Sequence, residues 1–367
     1  MPKPEILFLS TADYVERERI GLVEALRSQD ATVTCLDRFR DHAVEAVEAV
    51  TDSPPDLALH PDTYRVYLPE GIEALDCPTA CLHIDAYGGV QNRANMSRLF
   101  DLTMICHPHY IKEYSQRHPN VRAFPHAVPV EVYSHIDDGE EYDVAMIGRL
   151  DGADYEYRRQ AADMIKKMNV TSNDMDRYYT YEKMVKVYSN SKVTINVSRG
   201  EYLNEAHLSC LEIMGAGTLL LTTSNPESGV SHELERLGFS ENKHFATFEN
   251  LKDLRDKISF YLNNDTERKL MAERAREKTL EKHTYNQRAK RLLKWISDGI
   301  PHQAPARGMS EGEAAEIYVD YLSRRGQIDE TLTHFRRQRK NRGGSLMRSL
   351  GKGVKVTVRG WQRALFS

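Results

Sequence analysis

One carboxylate, Glu212, stands among the small and apolar residues that open the run HLSCLEIMGAGTLLLTTSNPESG, residues 207–229. Leu208, Leu211 and Met214 recur beside it at helical spacing, so the segment reads as a helix with Glu212 next to its apolar face. Gly215 and Gly217 end that helix and let it approach the following strand, TLLLTT, closely. Thr223 and Ser224 then offer hydroxyls and backbone N–H groups at the carboxyl end of the strand. A carboxylate in that setting can accept hydrogen bonds from vicinal sugar hydroxyls. By pattern alone, a surface Glu on an amphipathic helix is the alternative.

A second group surrounds DVAMIGRL, where a strand ends in Gly148 and Arg149 follows. Arg158 and Arg159 open the next helix after an acidic loop. A guanidinium grips phosphate oxygens in pairs, and a helix N-terminus adds positive potential. Pairing of Arg149 with Asp151 or Asp154 is the competing reading. Asn196, at the end of the strand in KVTINVS, joins the candidate donor-binding residues. The chain has neither GxGxxG nor a Walker A sequence, so neither a dinucleotide fingerprint nor a P-loop is supported.

The third group is CPTACLHIDAYGG, where a strand ends in His83 and Asp85. An imidazole and a carboxylate there can act as base and orienter toward an acceptor hydroxyl. A satisfied structural pair is the plainer reading. His107 and His109 are weaker candidates, and with His126 they lack the ligand spacing of a zinc site.

These groups need a scaffold. EILFLST, ATVTCLD, DLALH, TACLHI and LTMICH read as strands separated by helical or loop material, which predicts a parallel α/β sheet over residues 1–135. SHIDDGEEYD reads as a linker. A second α/β pattern over 136–300 runs through YRRQAADMIKKM, YEKMVKVYSN, KVTINVS and TLLLTT to YNQRAKRLLKWIS. Two tandem Rossmann-like, doubly wound domains are expected, with a cleft between them as the default ligand site. A helical extension at 301–333 and a basic tail at 334–367 complete the division.

The length of 367 residues suits two domains and a tail. No run of about 18 apolar residues is present, and MPKPEILFLS has no signal-peptide pattern, so a cytoplasmic protein is expected. Five cysteines without metal or disulfide spacing fit a reducing compartment. The net charge of −4 conceals a basic tail: residues 334–367 hold ten Lys/Arg and no Asp/Glu, leaving 40 basic against 54 acidic residues in 1–333. Leu346, Leu350, Val354, Trp361, Leu365 and Phe366 lie among those charges, a pattern suited to an anionic membrane surface. Nucleic-acid binding is disfavoured by the acidic body and the few aromatic residues of the tail. A solvated tail is the bland alternative.

The segment 142–298 resembles the C-terminal half of GT-B glycosyltransferases of the CgeB-like (spore maturation type) group, related to glycosyltransferase family 4. YDVAMIGRL…YRR, YSNSKVTINVS, CLEIMGAGTLLLTTSNPESGVSHEL and the HTYNQRAKRLL ending carry it, with FDLTMICHPHYIKEY…FPHAVPVEVY in the first half. The resemblance implies transfer of a sugar from a nucleotide-sugar donor to a hydroxyl acceptor, such as a glycan, lipid-linked saccharide or protein. It implies a role in surface or envelope glycan synthesis, with neither cofactor nor metal. By that analogy Glu212 meets the donor ribose, and Arg149 with Arg158 or Arg159 meets the diphosphate. Many family 4 enzymes carry a second Glu eight positions earlier; here that place is Asn204, beside Glu205, and Ser209 stands where CgeB-like chains often have Arg. A nucleotide-sugar epimerase and a non-catalytic nucleotide- or sugar-binding protein are the rival readings.

Overall fold

The computed structural model describes residues 3–12, 21–36, 42–62, 68–84, 86, 89–133, 139–198, 207–224, 230–301 and 308–324. The chain forms two compact units, Met1–Phe124 with Lys290–Ser367, and Pro125–Ala289.

In the first unit the order is β1 (Glu5–Thr11), α1 (Leu22–Arg27), β2 (Thr32–Leu36), α2 (Ala43–Glu48), β3 (Leu57–Asp62), β4 (Thr79–His83), α3 (Val90–Met96), β5 (Leu102–Ile105), α4 (Ile111–Ser115) and β6 (Val121–Ala123). Its six strands are all parallel, in the order β2-β1-β3-β4-β5-β6. Such strands are covered on both faces, which is why β3 and β4 are buried along their whole length and read as apolar runs. The order reverses between β1 and β3, and a crevice beyond the carboxyl ends of strands at such a reversal is where ligands bind in doubly wound sheets.

The second unit contains α5 (Val130–Tyr133), β7 (Tyr142–Ala145), α6 (Glu156–Lys166), α7 (Tyr181–Ser189), β8 (Ser191–Asn196), α8 (Leu208–Gly215), β9 (Leu219–Thr223), α9 (Val230–Arg236), β10 (Ala246–Phe248), α10 (Leu251–Asn263) and α11 (Asp265–Lys282). Its sheet is parallel in the order β10-β9-β8-β7. Ser172 adds a parallel bridge to Val144 of β7. In sequence, Ser172 lies between β7 and β8, whereas in space β7 lies between Ser172 and β8. The order therefore reverses at β7, so the carboxyl ends of β7 and β8 mark the crevice of this unit.

α12 (Tyr285–Ser297) begins in the second unit and ends in the first. α13 (Glu311–Arg324) lies in the region expected as a helical extension, and it completes the first unit's core. Ser310 and Glu313 form a reciprocal cap at its start: Glu313 N donates to Ser310 Oγ at 3.3 Å, and Ser310 N donates to Glu313 Oε2 at 3.1 Å. The spacing of Ala314, Ile317, Tyr318, Tyr321 and Leu322 then gives one buried face. Burying an Ile or Leu of this kind contributes about 1.5–3 kcal/mol.

Candidate functional site

In the second unit Glu212 lies in α8 and is 2 % exposed. The surface alternative is thereby removed. Packing explains why the carboxylate is enclosed: α8 fits between β9 and α11, and Leu211, Ile213 and Met214 belong to one buried cluster with Tyr133, Tyr188 and Leu220. Burial, and after it the Glu212 carboxylate, pushes the Tyr133 phenol far above its ordinary range. The same causes push up the Cys210 thiol, with Glu233 acting between them in size. Tyr181 Oη donates to Tyr133 Oη at 3.3 Å, which fixes the phenol that feels this carboxylate.

Around Glu212 the strand ends are tied together. Asn196 is buried; its Nδ2 donates to Thr222 Oγ1 at 3.1 Å and its Oδ1 accepts from Ser209 Oγ at 3.0 Å. Thr222 Oγ1 donates back to Asn196 O at 3.2 Å. The Asn196 amide, expected among the donor-binding residues, thus joins β8 to β9 and α8. Gly217 takes φ +80°, and a Cβ there would lie 3.1 Å from Arg276 Cδ, so its function is the helix–strand turn. Ser224 is half-buried and donates its backbone N–H to Phe248 O at 2.8 Å, which fixes the start of the loop after β9 against the end of β10.

Thr223 is 5 % exposed and Ser198, two residues past β8, is 4 % exposed. Neither hydroxyl has a hydrogen-bond partner among the described residues. A buried hydroxyl without a partner is costly, and two of them at adjacent strand ends leave donors for a bound polar group. Ser198 was not singled out from the sequence. Its position at the end of KVTINVS was the available signal.

The three arginines divide. Arg149 is exposed and grips Asp151 with its fork, Nε to Oδ1 at 2.8 Å and Nη2 to Oδ2 at 3.0 Å. This is the pairing weighed as the alternative, and that bond holds the Asp151 carboxyl below its usual range. An exposed pair of this sort is screened by solvent and contributes little, so a phosphate can displace Asp151 readily. Arg158 is used differently. Its Nε and Nη2 donate to Val197 O at 3.0 and 2.5 Å, and its Nη1 donates to Arg149 O at 3.0 Å. Arg159 Nη1 donates to Leu150 O and Gly152 O, both at 2.6 Å, and its Nη2 meets Glu156 Oε2 at 2.5 Å. Both guanidiniums expected at the diphosphate hold the backbone of the 149–152 loop, and Arg158 brackets that loop to the end of β8. Gly148 allows this approach, since a Cβ there would meet Arg158 Nη1 at 2.7 Å.

A prediction arises from the bracket. Arg158→Lys keeps the charge but cannot hold two carbonyls with a planar fork. The second unit is expected to lose about 1–2 kcal/mol of stability, within the range for one or two hydrogen bonds. Amide exchange in residues 147–150 is expected to quicken in the absence of any ligand. Unchanged exchange there would show that the bracket does not hold the loop.

In the first unit His83 ends β4 and Asp62 ends β3, side by side in the parallel register. His83 is fully buried. Its Nδ1 lies 2.7 Å from Asp62 Oδ2 and its Nε2 2.8 Å from Ser97 Oγ. Arg93 Nη1 donates to the same Asp62 oxygen, and Tyr321 Oη of α13 donates to Asp62 Oδ1. Both ring nitrogens of His83 face protein groups inside the core. That corrects its expected role as a base toward an acceptor: proton transfer requires an atom within reach of the substrate. Asp85 lies outside the described residues. Asp62, Cys81 and His83 are close enough together to hold a metal ion, but the Arg93 guanidinium already sits on the Asp62 carboxylate. His107, His109 and His126 do not form such a group among the described residues.

Comparison with known proteins agrees with this architecture. Residues 133–294 match the family model described as glycosyl transferase-like. No curated protein matches the sequence. HepE of Anabaena, solved with UDP and glucose, superposes with a TM-score of 0.57 at 9 % identity, over 80 % of this chain and 99 % of its own. A glycosyltransferase from Rickettsia africae gives 0.53 at 11 % identity, over 81 % and 99 %. An alpha-glucosyltransferase solved with UDP-glucose and DNA containing an abasic site gives 0.53 at 13 % identity, over 80 % and 98 %. The chain has the GT-B fold of these glycosyltransferases, and its second unit carries the match to the glycosyl transferase-like family.

Proposed function

We propose that the protein transfers a sugar from a nucleotide-sugar donor to a hydroxyl acceptor, with the donor held by the second unit. The observation that carries this reading is Glu212, a carboxylate buried in α8 of the unit that matches the glycosyl transferase-like family. In this reading Glu212 accepts hydrogen bonds from the ribose hydroxyls. Arg149 exchanges Asp151 for the diphosphate and stabilises the leaving group as charge develops on it. The hydroxyls of Ser198 and Thr223 donate to the phosphates or the sugar. Arg158 and Arg159 keep the Arg149 loop in place, and their charge adds to the positive potential near the phosphates. Asp85 retains the acceptor-side role suggested by the sequence. Neither cofactor nor metal enters this scheme. Membership of the CgeB-like group and an acceptor among surface or envelope glycans are part of the same proposal.

UDP is the first probe, because HepE of Anabaena was solved with it. A ligand present at about 100 times its dissociation constant adds about 2.7 kcal/mol to the stability of the folded protein. A thermal-shift series with UDP, GDP, ADP and the corresponding nucleotide sugars is expected to show such stabilisation for at least one base. No shift with any of them up to millimolar concentration would remove the donor reading.

The tail, residues 334–367, lies outside the described residues, and among the described residues no helix is long and apolar enough to cross a membrane. We propose that its ten basic residues hold the protein against an anionic membrane surface, where each Lys or Arg contributes about 1 kcal/mol. Full-length protein is expected to co-sediment with anionic vesicles at low salt and to be released at high salt, while a 1–333 truncation stays in the supernatant. Equal behaviour of the two forms would end this proposal.

A further inference from the structure

Tyr178 is 93 % exposed, whereas the other large exposed apolar side chains among the described residues, Phe260 and Leu270, are 47 % and 42 % exposed. It belongs to the loop between the Ser172 bridge and α7, and that loop is firmly held. Asn173 pairs with the backbone of Met146 on both sides, accepting from its N–H at 2.9 Å and donating to its O at 3.2 Å. Tyr179 Oη donates to Asp174 O at 2.9 Å, Asp176 N donates to Asp174 Oδ1 at 3.2 Å, and Lys166 Nζ reaches Asp176 Oδ2 at 2.7 Å. Tyr179 itself packs on the buried cluster that contains Leu211 and Met214 of α8. The loop therefore has its own anchors, and the Tyr178 ring contributes little to them.

The position of this loop narrows what the ring is for. It leaves the carboxyl end of the Ser172 bridge, on the edge of β7 away from β8, at the reversal of strand order. Met146, which Asn173 holds, precedes by three residues the Arg149 assigned above to the diphosphate. At the other end of the loop, Tyr181 bonds to Tyr133, whose phenol feels the Glu212 carboxylate assigned to the ribose. The loop is thus tied at one end to the strand that leads into Arg149 and at the other to the phenol that feels Glu212. The base is the part of a nucleotide for which those groups provide nothing.

We propose that Tyr178 is the stacking platform for the base of the bound nucleotide. The proposal rests on the donor reading above and names the residue that meets the base. Stacking uses the face of the ring, which every base can share, so the platform contributes affinity and leaves the choice of base to other contacts. The phenol oxygen is not needed.

Isothermal titration of UDP, GDP and ADP into wild type, Tyr178→Phe and Tyr178→Ala tests it. Base–aromatic stacking predicts a loss of about tenfold in affinity for Tyr178→Ala with whichever nucleotide the wild type binds. Tyr178→Phe is expected to bind within about twofold of wild type, since the ring face is kept. Thermal unfolding and amide exchange over residues 171–177 are expected to match wild type in both variants, which separates lost stacking from a disturbed loop. If wild type binds nucleotide and Tyr178→Ala binds it equally well, this proposal is overturned while the donor reading stands. An unchanged nucleotide affinity together with a raised KM for the acceptor would assign the ring to the acceptor and overturn it as well. If wild type binds no nucleotide, the donor reading fails and this proposal with it.

Discussion

Asp62→Ala will destabilise the first unit by about 3–5 kcal/mol, the range for removing one member of a buried charge pair. Asp62 is fully buried, and its carboxylate neutralises Arg93, which is 4 % exposed. It also accepts from His83 Nδ1 and from Tyr321 Oη. Alanine takes that negative charge away and keeps the guanidinium in the core, so the cost is chiefly desolvation of a cation that has lost its neutralising group. It also releases α13, whose Tyr321 is anchored there across 259 residues of sequence. Urea denaturation followed by amide exchange in residues 57–62 and 79–83 measures the loss. Tyr321→Phe provides a milder companion that removes one hydroxyl and keeps the ring, with an expected cost of about 1–2 kcal/mol. A cost below about 1 kcal/mol for Asp62→Ala would show that the network is not what holds this core together.

Glu212→Ala is expected to weaken nucleotide binding by about 1.5–3 kcal/mol, the contribution of hydrogen bonds to a charged group. Glu212 is buried in α8, close to Tyr133 and Cys210. Glu212→Gln keeps volume and one acceptor oxygen but removes the charge, so its loss is expected to be smaller. The readout is calorimetric titration with the nucleotide that stabilises wild type, alongside thermal unfolding without ligand. A carboxylate that served packing alone would change unfolding in both variants and leave the dissociation constant of the folded protein as it was. That result would take Glu212 out of the site.

Much of the architecture was legible in the sequence. Apolar runs alternating with helical spacing pointed to a parallel α/β protein, because strands covered on both faces must be apolar throughout. DLALH and TACLHI became β3 and β4, and TLLLTT became β9. LKDLRDKISFYLN and YNQRAKRLLKWIS became α10 and α12. α10 starts where the Asn250 side chain accepts from Asp253 N at 3.0 Å, a local cap of the kind a sequence displays. The enclosed setting of Glu212 was also foreshadowed by the apolar residues around it. Such features depend on neighbours a few positions away.

The fate of individual polar groups was decided by the tertiary structure. A guanidinium looks the same in sequence whether it meets a phosphate or a carbonyl, and only folding brought Val197 O to Arg158, 39 residues away. His83 read as a strand-end base until Asp62, Ser97, Arg93 and Tyr321 closed around it from three other elements and the turn after α3. Asn196 read as a ligand, and only folding showed that its amide bonds to Thr222 and Ser209. The amphipathic face of α13 announced a helix but not its partner, which lies in the first half of the chain. Ser198 and Tyr178 emerged because burial without a bond and exposure without a fold role are properties of a surface. A sequence determines the donors and acceptors a chain possesses; which of them remain for a ligand depends on the long-range contacts that satisfy the others first.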